Sequence, residues 1–74
     1  DRLAKYRRAM RAELVKHARR SARLEAARAV ATAEGRTDAV ARVDRLTAKE
    51  KARHAKARAR LEAKTKANTK TDAR

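Results

Sequence analysis

The chain has 74 residues, of which 23 are Lys or Arg and nine are Asp or Glu, so its formal net charge is +14. It has no Cys, and a single Tyr is its only aromatic residue. This composition excludes a disulfide framework and a thiolate metal site within the chain, and it lacks the aromatic platforms on which single-stranded bases stack. Because so dense a charge repels itself, we expect a polyanionic partner, and phosphate contacts with nucleic acid meet that need.

The first predicted element is a long helix over about residues 2–33. Ala, Arg, Lys, Leu and Glu dominate the sequence and Pro does not occur, which favours helices throughout. The larger side chains recur at spacings of three and four, which places them on one face of a helix. This apolar stripe comprises Leu3, Tyr6, Met10, Leu14, His17, Ser21 and Leu24, and it extends loosely through Ala27, Val30 and Ala31.

A turn at residues 34–38 separates this helix from a second one over about residues 38–66. Gly35 can end a helix in the left-handed conformation, and either Thr37 or Asp38 can cap the next helix. The second helix has a matching stripe of three- and four-residue spacings. That stripe comprises Val40, Val43, Leu46, Glu50, His54, Ala57 and Leu61.

The two stripes are in register when the chain folds back at Gly35. His17 then meets His54, and Met10 meets Leu61 seven residues farther along each helix. The sequence therefore predicts an all-α fold, in which an antiparallel helical hairpin forms a single domain over residues 1–64.

Two further features bear on the length and number of the helices. The sequence Thr-Ala-Lys-Glu at 47–50 spells a capping box, which could start a third helix and produce a short three-helix bundle. A Thr within a continuous helix is the alternative, and both stay open at this point. Residues 65–74 are predicted to form a polar basic tail that is frayed or extended.

Basic side chains cluster away from the apolar stripes. On the second helix they form a ridge about 100° around from the stripe, and on the first helix they form a looser group. Acidic residues are too few to balance the ridge, so we interpret these cations as a phosphate-binding surface. The candidates are Lys5, Arg8, Lys16, Arg19 and Arg23 on the first helix, and Arg42, Arg45, Lys49, Arg53, Lys56, Arg60 and Lys64 on the second.

The hairpin register also brings two histidines together, with Glu13 and Glu50 one turn away. Two His and two carboxylates are zinc-ligand types. The chain has no H-E-x-x-H motif, however, and we predict neither a metal nor a cofactor. We interpret the histidines as side chains that close a thin core or face RNA. The sequence also lacks a Gly-rich phosphate loop and the large apolar face of a membrane-binding helix, so we expect neither an enzyme nor a membrane protein.

Several segments resemble the bacterial-type small-subunit ribosomal protein S-twenty family. Residues 3–22 are similar to the first long helix of that family, with Lys-His-Ala-Arg-Arg-Ser at 16–21 in the place of its basic segment. Residues 29–35 are similar to its Ala-rich helix end before a Gly turn. Val-Asp-Arg at 43–45 resembles its Ile-Asp-Lys element, and residues 54–61 resemble its basic stretch after a His.

The resemblance implies a helical protein embedded in rRNA, without catalysis, in the ribosome of a bacterium, a mitochondrion or a plastid. It implies small-subunit rRNA as the partner, with neighbouring ribosomal proteins as further contacts. A basic scaffold subunit docked to an acidic protein, and a DNA-compacting helical protein, remain alternatives. By motif, the resemblance implies RNA contacts at Arg19, Arg20, Ser21, His54, Lys56, Arg58 and Arg60.

Overall fold

The computed structural model describes the backbone of residues 1–72 and the side chains of residues 1–66. This part of the chain contains two helices, α1 (Arg2–Ala33) and α2 (Thr37–Asp72), and no strand. The helices pack side by side as an antiparallel hairpin, which is long and flat, with extents of 60 × 17 × 7 Å. The predicted all-α helical hairpin is therefore confirmed.

The turn between the helices is a Schellman motif. The Gly35 N–H donates to the Thr32 carbonyl at 3.1 Å, and the Arg36 N–H donates to the Ala31 carbonyl at 2.9 Å. Gly35 itself has a φ of +68°, in the left-handed region that Gly enters without steric cost. The prediction that α1 ends at this Gly is confirmed.

The start of α2 differs slightly from the sequence-based prediction. The Val40 N–H donates to the Arg36 carbonyl at 3.0 Å, so Arg36 accepts the first bond of the helix and takes the N-cap position. Thr37 and Asp38 consequently lie inside the first turn rather than at the cap. The Asp38 carboxylate there has a favourable interaction with the positive end of the helix dipole.

Substitution of Gly35 by Ala is expected to lower the free energy of unfolding by about 1 kcal/mol, because a side chain disfavours the left-handed conformation. A Cβ at this position would meet no atom within 4 Å, so backbone strain alone sets the cost. Gly35→Asn should cost less, since Asn tolerates this conformation better. Urea unfolding followed by circular dichroism measures both variants, and equal stability of Gly35→Ala and the native chain would contradict the turn geometry.

The helix interface departs from the predicted stripes at several apolar residues. Leu14 is 49% exposed and Leu46 is 46% exposed, whereas the neighbouring Glu13 is buried and Thr47 is half-buried. Leu3 and Val30 were also predicted to lie on the stripe, but both are exposed. The interface at the middle of the hairpin is therefore polar, and apolar contacts such as those of Ala31 lie toward its ends.

The second helix is continuous and longer than predicted. Thr47 lies within it, and its hydroxyl donates to the Val43 carbonyl at 3.0 Å, so the alternative of a third helix starting there is wrong. Helix α2 also continues to Asp72, past the predicted end at residue 66, because the segment has no Pro or Gly to stop it. Residues 65–72 are therefore helical instead of extended, and residues 73–74 lie outside the described part.

Candidate nucleic-acid interface

The middle of the helix interface holds two crossed histidine–carboxylate pairs. His17 Nδ1 lies 2.8 Å from Glu50 Oε2, and His54 Nδ1 lies 2.7 Å from Glu13 Oε2. The two imidazole rings stack, with centroids 3.9 Å apart and planes 5° apart. The predicted meeting of the histidines is confirmed, and each one bonds to a carboxylate of the opposite helix.

Arg53 joins both carboxylates of this cluster. Its Nε and Nη2 donate to Glu50 at 2.8 Å each, while its Nη1 and Nη2 donate to Glu13 at 3.1 and 2.8 Å. Arg20 adds a longer contact of 3.4 Å to Glu50. We call Glu13, His17, Glu50, Arg53 and His54 the interhelical cluster. Because a guanidinium is planar, these paired bonds fix its orientation.

The cluster keeps both of its carboxylates ionised. Hydrogen bonds from Arg53 and then His54 lower the pKa of Glu13 from its ordinary 4.5 to about 2. Hydrogen bonds from Arg53 and then His17 hold the pKa of Glu50 far below its ordinary range. The same contacts, first with Glu50 and then with Glu13, raise the pKa of Arg53. Since an ionised carboxylate only accepts, Nδ1 of each histidine is the donor.

A sequence signal for this cluster exists but is easily missed. Each helix carries a Glu four residues before its His, at 13 and 17 in α1 and at 50 and 54 in α2. Residues at that spacing share one face of a helix, so an antiparallel partner in register crosses the pairs. Arg53 bonds to one carboxylate of each helix, so its position at the interface becomes apparent only when the two helices are paired. The spacing of residues within α2 alone predicts that Arg53 is a surface cation.

Two cavities open between the helices on one side of the flat hairpin. One has a volume of about 420 Å³ and is lined by Arg20, Arg23, Leu24, Leu46, Lys49, Glu50 and Arg53. The other has a volume of about 400 Å³ and is lined by Arg2, Lys5, Tyr6, Ala9, Leu61, Lys64 and Thr65. Both are rimmed by basic side chains of both helices, so cations from α1 and α2 share this side.

Helical spacing adds three more cations to the same side. Lys16 lies four residues before Arg20, Arg42 lies four before Leu46, and Arg60 lies four before Lys64. We call this side of the hairpin the basic face. Its members among the predicted contacts are Lys5, Lys16, Arg20, Arg23, Arg42, Lys49, Arg60 and Lys64.

The opposite side of the hairpin carries acidic residues paired with arginines. Asp44 lies two residues from Leu46, about 200° around the helix, so it flanks the interface on the other side. There Arg28 Nε donates to Asp44 at 2.8 Å and lowers the pKa of that carboxyl. Arg58 lies 3.8 Å from Glu62 on the same side. Asp44 and Glu62 thus lie away from the basic face.

Four other predicted contacts lie on the outer sides of the helices. Arg45 and Lys56 lie on the outer side of α2, because helical spacing places them nearly opposite the residues of α2 that face α1. Arg8 and Arg19 line an outer groove of α1 that has a volume of about 570 Å³ and contains Val15, which is 43% exposed. Arg20 and Arg23 line this groove as well, so it is continuous with the basic face.

The remaining four predicted contacts lie at the helix interface or on the side away from the basic face. Ser21 is half-buried at the interface, and the side chain of His54 is only 13% exposed and bonds to Glu13. Arg53 bonds to two carboxylates, and Arg58 pairs with Glu62 on the side away from the basic face. Arg53 and His54 thus already bond to carboxylates within the protein, whereas Arg58 is 52% exposed on the side away from the basic face.

Other kinds of site have no structural support in the described residues. Within residues 1–66, no three His, Asp or Glu side chains converge in a way that could hold a metal ion. Neither described helix combines the length and apolar character needed to cross a bilayer. Comparison with known protein families, curated proteins and solved structures finds no match to the chain. The resemblance to a ribosomal protein family therefore stays a prediction.

Proposed function

We propose that this chain is a structural RNA-binding protein that braces small-subunit rRNA through phosphate contacts. The observation that carries the proposal is the separation of charge in the hairpin. Cations from both helices share the basic face, while Glu13 and Glu50 are buried in the interhelical cluster and Asp44 and Glu62 lie on the opposite side. A surface of this kind attracts a polyanion along its whole length.

The dimensions of the basic face suit a structured RNA. Arg42 and Lys64 lie about 33 Å apart along α2, and Lys5 and Arg23 lie about 27 Å apart along α1, at about 1.5 Å per residue. The two antiparallel rows therefore present cations over a length that spans many phosphates. Arg holds phosphate through paired bonds, and such contacts fix position and orientation without reading bases.

The proposal that the RNA is ribosomal rests on the sequence resemblance in addition to the geometry of the basic face. The resemblance implies small-subunit rRNA as the partner and neighbouring ribosomal proteins as further contacts, in a bacterial or organellar ribosome. A rigid hairpin would act there by positioning rRNA helices relative to one another. Recognition would then depend more on RNA shape than on sequence.

Removal of two cations from the basic face is expected to weaken RNA binding and flatten its salt dependence. In the variant Arg23→Ala/Lys49→Ala, log affinity against log salt should lose about two units of slope, and affinity should fall by roughly tenfold or more in moderate salt. Both residues are exposed. Filter binding to a small-subunit rRNA fragment at several salt concentrations measures the change.

The matched control removes one Arg and one Lys from the opposite side, as Arg7→Ala/Lys51→Ala. Each lies two residues from a basic-face lysine, Lys5 or Lys49, and is therefore about 200° around its helix from it. We expect the control to keep most of the native slope. Equal losses in the two double variants would show that only total charge matters, and would contradict the basic face.

A further inference from the structure

The central cavity of the basic face has an apolar floor. Leu24 and Leu46 contribute that floor, and Leu46 is 46% exposed although it lies beside the interface. The cavity has a volume of about 420 Å³ and opens widely to solvent, so a ligand held there would stay partly exposed. A ligand with both an apolar and an anionic part would complement this floor and the cations around it.

The cations around this floor divide into two kinds. Arg53 also lines the cavity, but its four hydrogen bonds to Glu13 and Glu50 already use most of its donors and hold its plane fixed. Arg23 and Lys49 are exposed, and no carboxylate among the described side chains pairs with them. Arg53 is thus a cation held in a fixed orientation at the cavity, whereas Arg23 and Lys49 keep their donors for phosphate.

We propose that this cavity holds one unpaired nucleotide of a structured RNA. Its base lies on Leu24 and Leu46 beside the fixed guanidinium of Arg53, and the phosphates that flank it bind Arg23 and Lys49. Unpaired bases in RNA loops and bulges stack on guanidinium planes as well as on aromatic rings, so the scarcity of aromatic residues does not prevent this contact. The inference rests on the proposed function, because it names a feature of the RNA that the same face binds.

The cavity would give the basic face a specific point of attachment. Phosphate contacts orient a helical RNA on the hairpin, but they do not distinguish one regular stretch of duplex from the next. A bulged nucleotide held between Leu24 and Leu46 fixes the register of the RNA on the hairpin. The protein would therefore select RNA helices that carry an unpaired nucleotide at a defined place.

The test compares two RNA hairpins that differ only by a single unpaired adenine, with the full chain as the protein. We expect the native protein to bind the bulged RNA about tenfold more tightly than the paired RNA, the size of one base-stacking contact. Leu46→Ala should abolish that preference without changing affinity for the paired RNA. Leu14→Ala is the matched control, because Leu14 is 49% exposed at a position outside the cavity, and it should keep the preference.

The possible outcomes distinguish failure of the nucleotide-site proposal from failure of the proposed RNA-binding function. Equal affinity of the native protein for both RNAs would overturn the nucleotide site and leave phosphate binding intact. Loss of the preference in Leu46→Ala and Leu14→Ala alike would also overturn the site, because the effect would not belong to the cavity. Failure to bind either RNA would overturn both proposals. A 2-aminopurine at the bulge gives a second readout, since its fluorescence should change on binding to the native chain but not to Leu46→Ala.

Discussion

Replacing Glu13 by Ala is expected to lower the free energy of unfolding by about 3 kcal/mol, a larger effect than that of removing Gly35 from the turn. Glu13 is 7% exposed and accepts hydrogen bonds from Arg53 and His54. Its loss leaves His54 without its partner at the interface and Arg53 with one carboxylate instead of two. The buried apolar contacts of the described hairpin are few, so they cannot absorb that loss.

The control for this variant is Glu62→Ala, the same change on an exposed residue. Glu62 is 47% exposed and meets Arg58 at 3.8 Å, one helical turn away. An exposed pair of this kind contributes only about 0.5 kcal/mol, and the gain in helix propensity is the same for both variants. Urea unfolding followed by circular dichroism gives the two values. If Glu13→Ala were no less stable than Glu62→Ala, the interhelical cluster could not be what holds the helices together.

Acid is expected to unfold the hairpin between about pH 5 and pH 2. The folded-state pKa of Glu13 is about 2, below its ordinary 4.5, and that of Glu50 is lowered even further. A carboxyl with a depressed pKa contributes stability that is present above its unfolded pKa and is lost as pH falls toward the folded value. Both groups therefore lose stabilisation as pH falls below about 5, and the two losses are coupled because Arg53 bonds to both carboxylates.

We expect the loss of stability in acid to result from protonation of the carboxylates in the interhelical cluster. Glu13→Gln removes one of the two titrating groups, so its stability should fall less steeply between pH 5 and pH 2 than that of the native chain. Glu62→Gln removes an exposed carboxyl and should follow the native curve. Urea midpoints measured at intervals from pH 7 to pH 2 give the slopes. A Glu13→Gln curve parallel to the native one would contradict the ion pairing inferred for Glu13.

The hairpin and its register could be predicted because both depend on local signals. Gly35 is the single residue that readily adopts the left-handed conformation, and it lies where two stripes of similar length meet. Once the turn is placed, the stacking of His17 on His54 follows from the seven-residue repeat. The continuity of α2 could not be decided in the same way, because a capping box at Thr47 is compatible with a helix start and with a helix interior.

The polar character of the interface could not be predicted from periodicity. Leu14 and Glu13 are neighbours, and either can lie at the interface of a helix with this spacing. Hydrophobicity favours the leucine, yet Glu13 is buried because Arg53 and His54 of the other helix satisfy it. These bonds to the buried carboxylate form only when the two helices are packed together, so the pattern of one helix does not reveal them. The sequence of one helix does not show that Arg53 and His54 bond to Glu13 of the other helix. Sequence analysis therefore predicted both residues as RNA contacts.

The basic face was predicted in part. Spacings of three and four identify the ridge on α2 and the cations of α1, but one helix alone does not show on which side of a hairpin its cations lie. The structure brings Arg20 and Arg23 to the same cavity as Lys49. The apolar floor at Leu24 and Leu46 has no sequence signal, because helical spacing attributes both leucines to the core.

The most direct test of the account is binding of the full chain to small-subunit rRNA in the presence of excess tRNA, measured between about 50 and 300 mM salt. We expect preference for the rRNA to persist and log affinity to fall steeply with log salt, as a protein with about 6–10 phosphate contacts would show. Equal competition by tRNA would contradict a specific ribosomal role. A complex with little salt dependence that survives nuclease would instead identify an acidic protein as the partner.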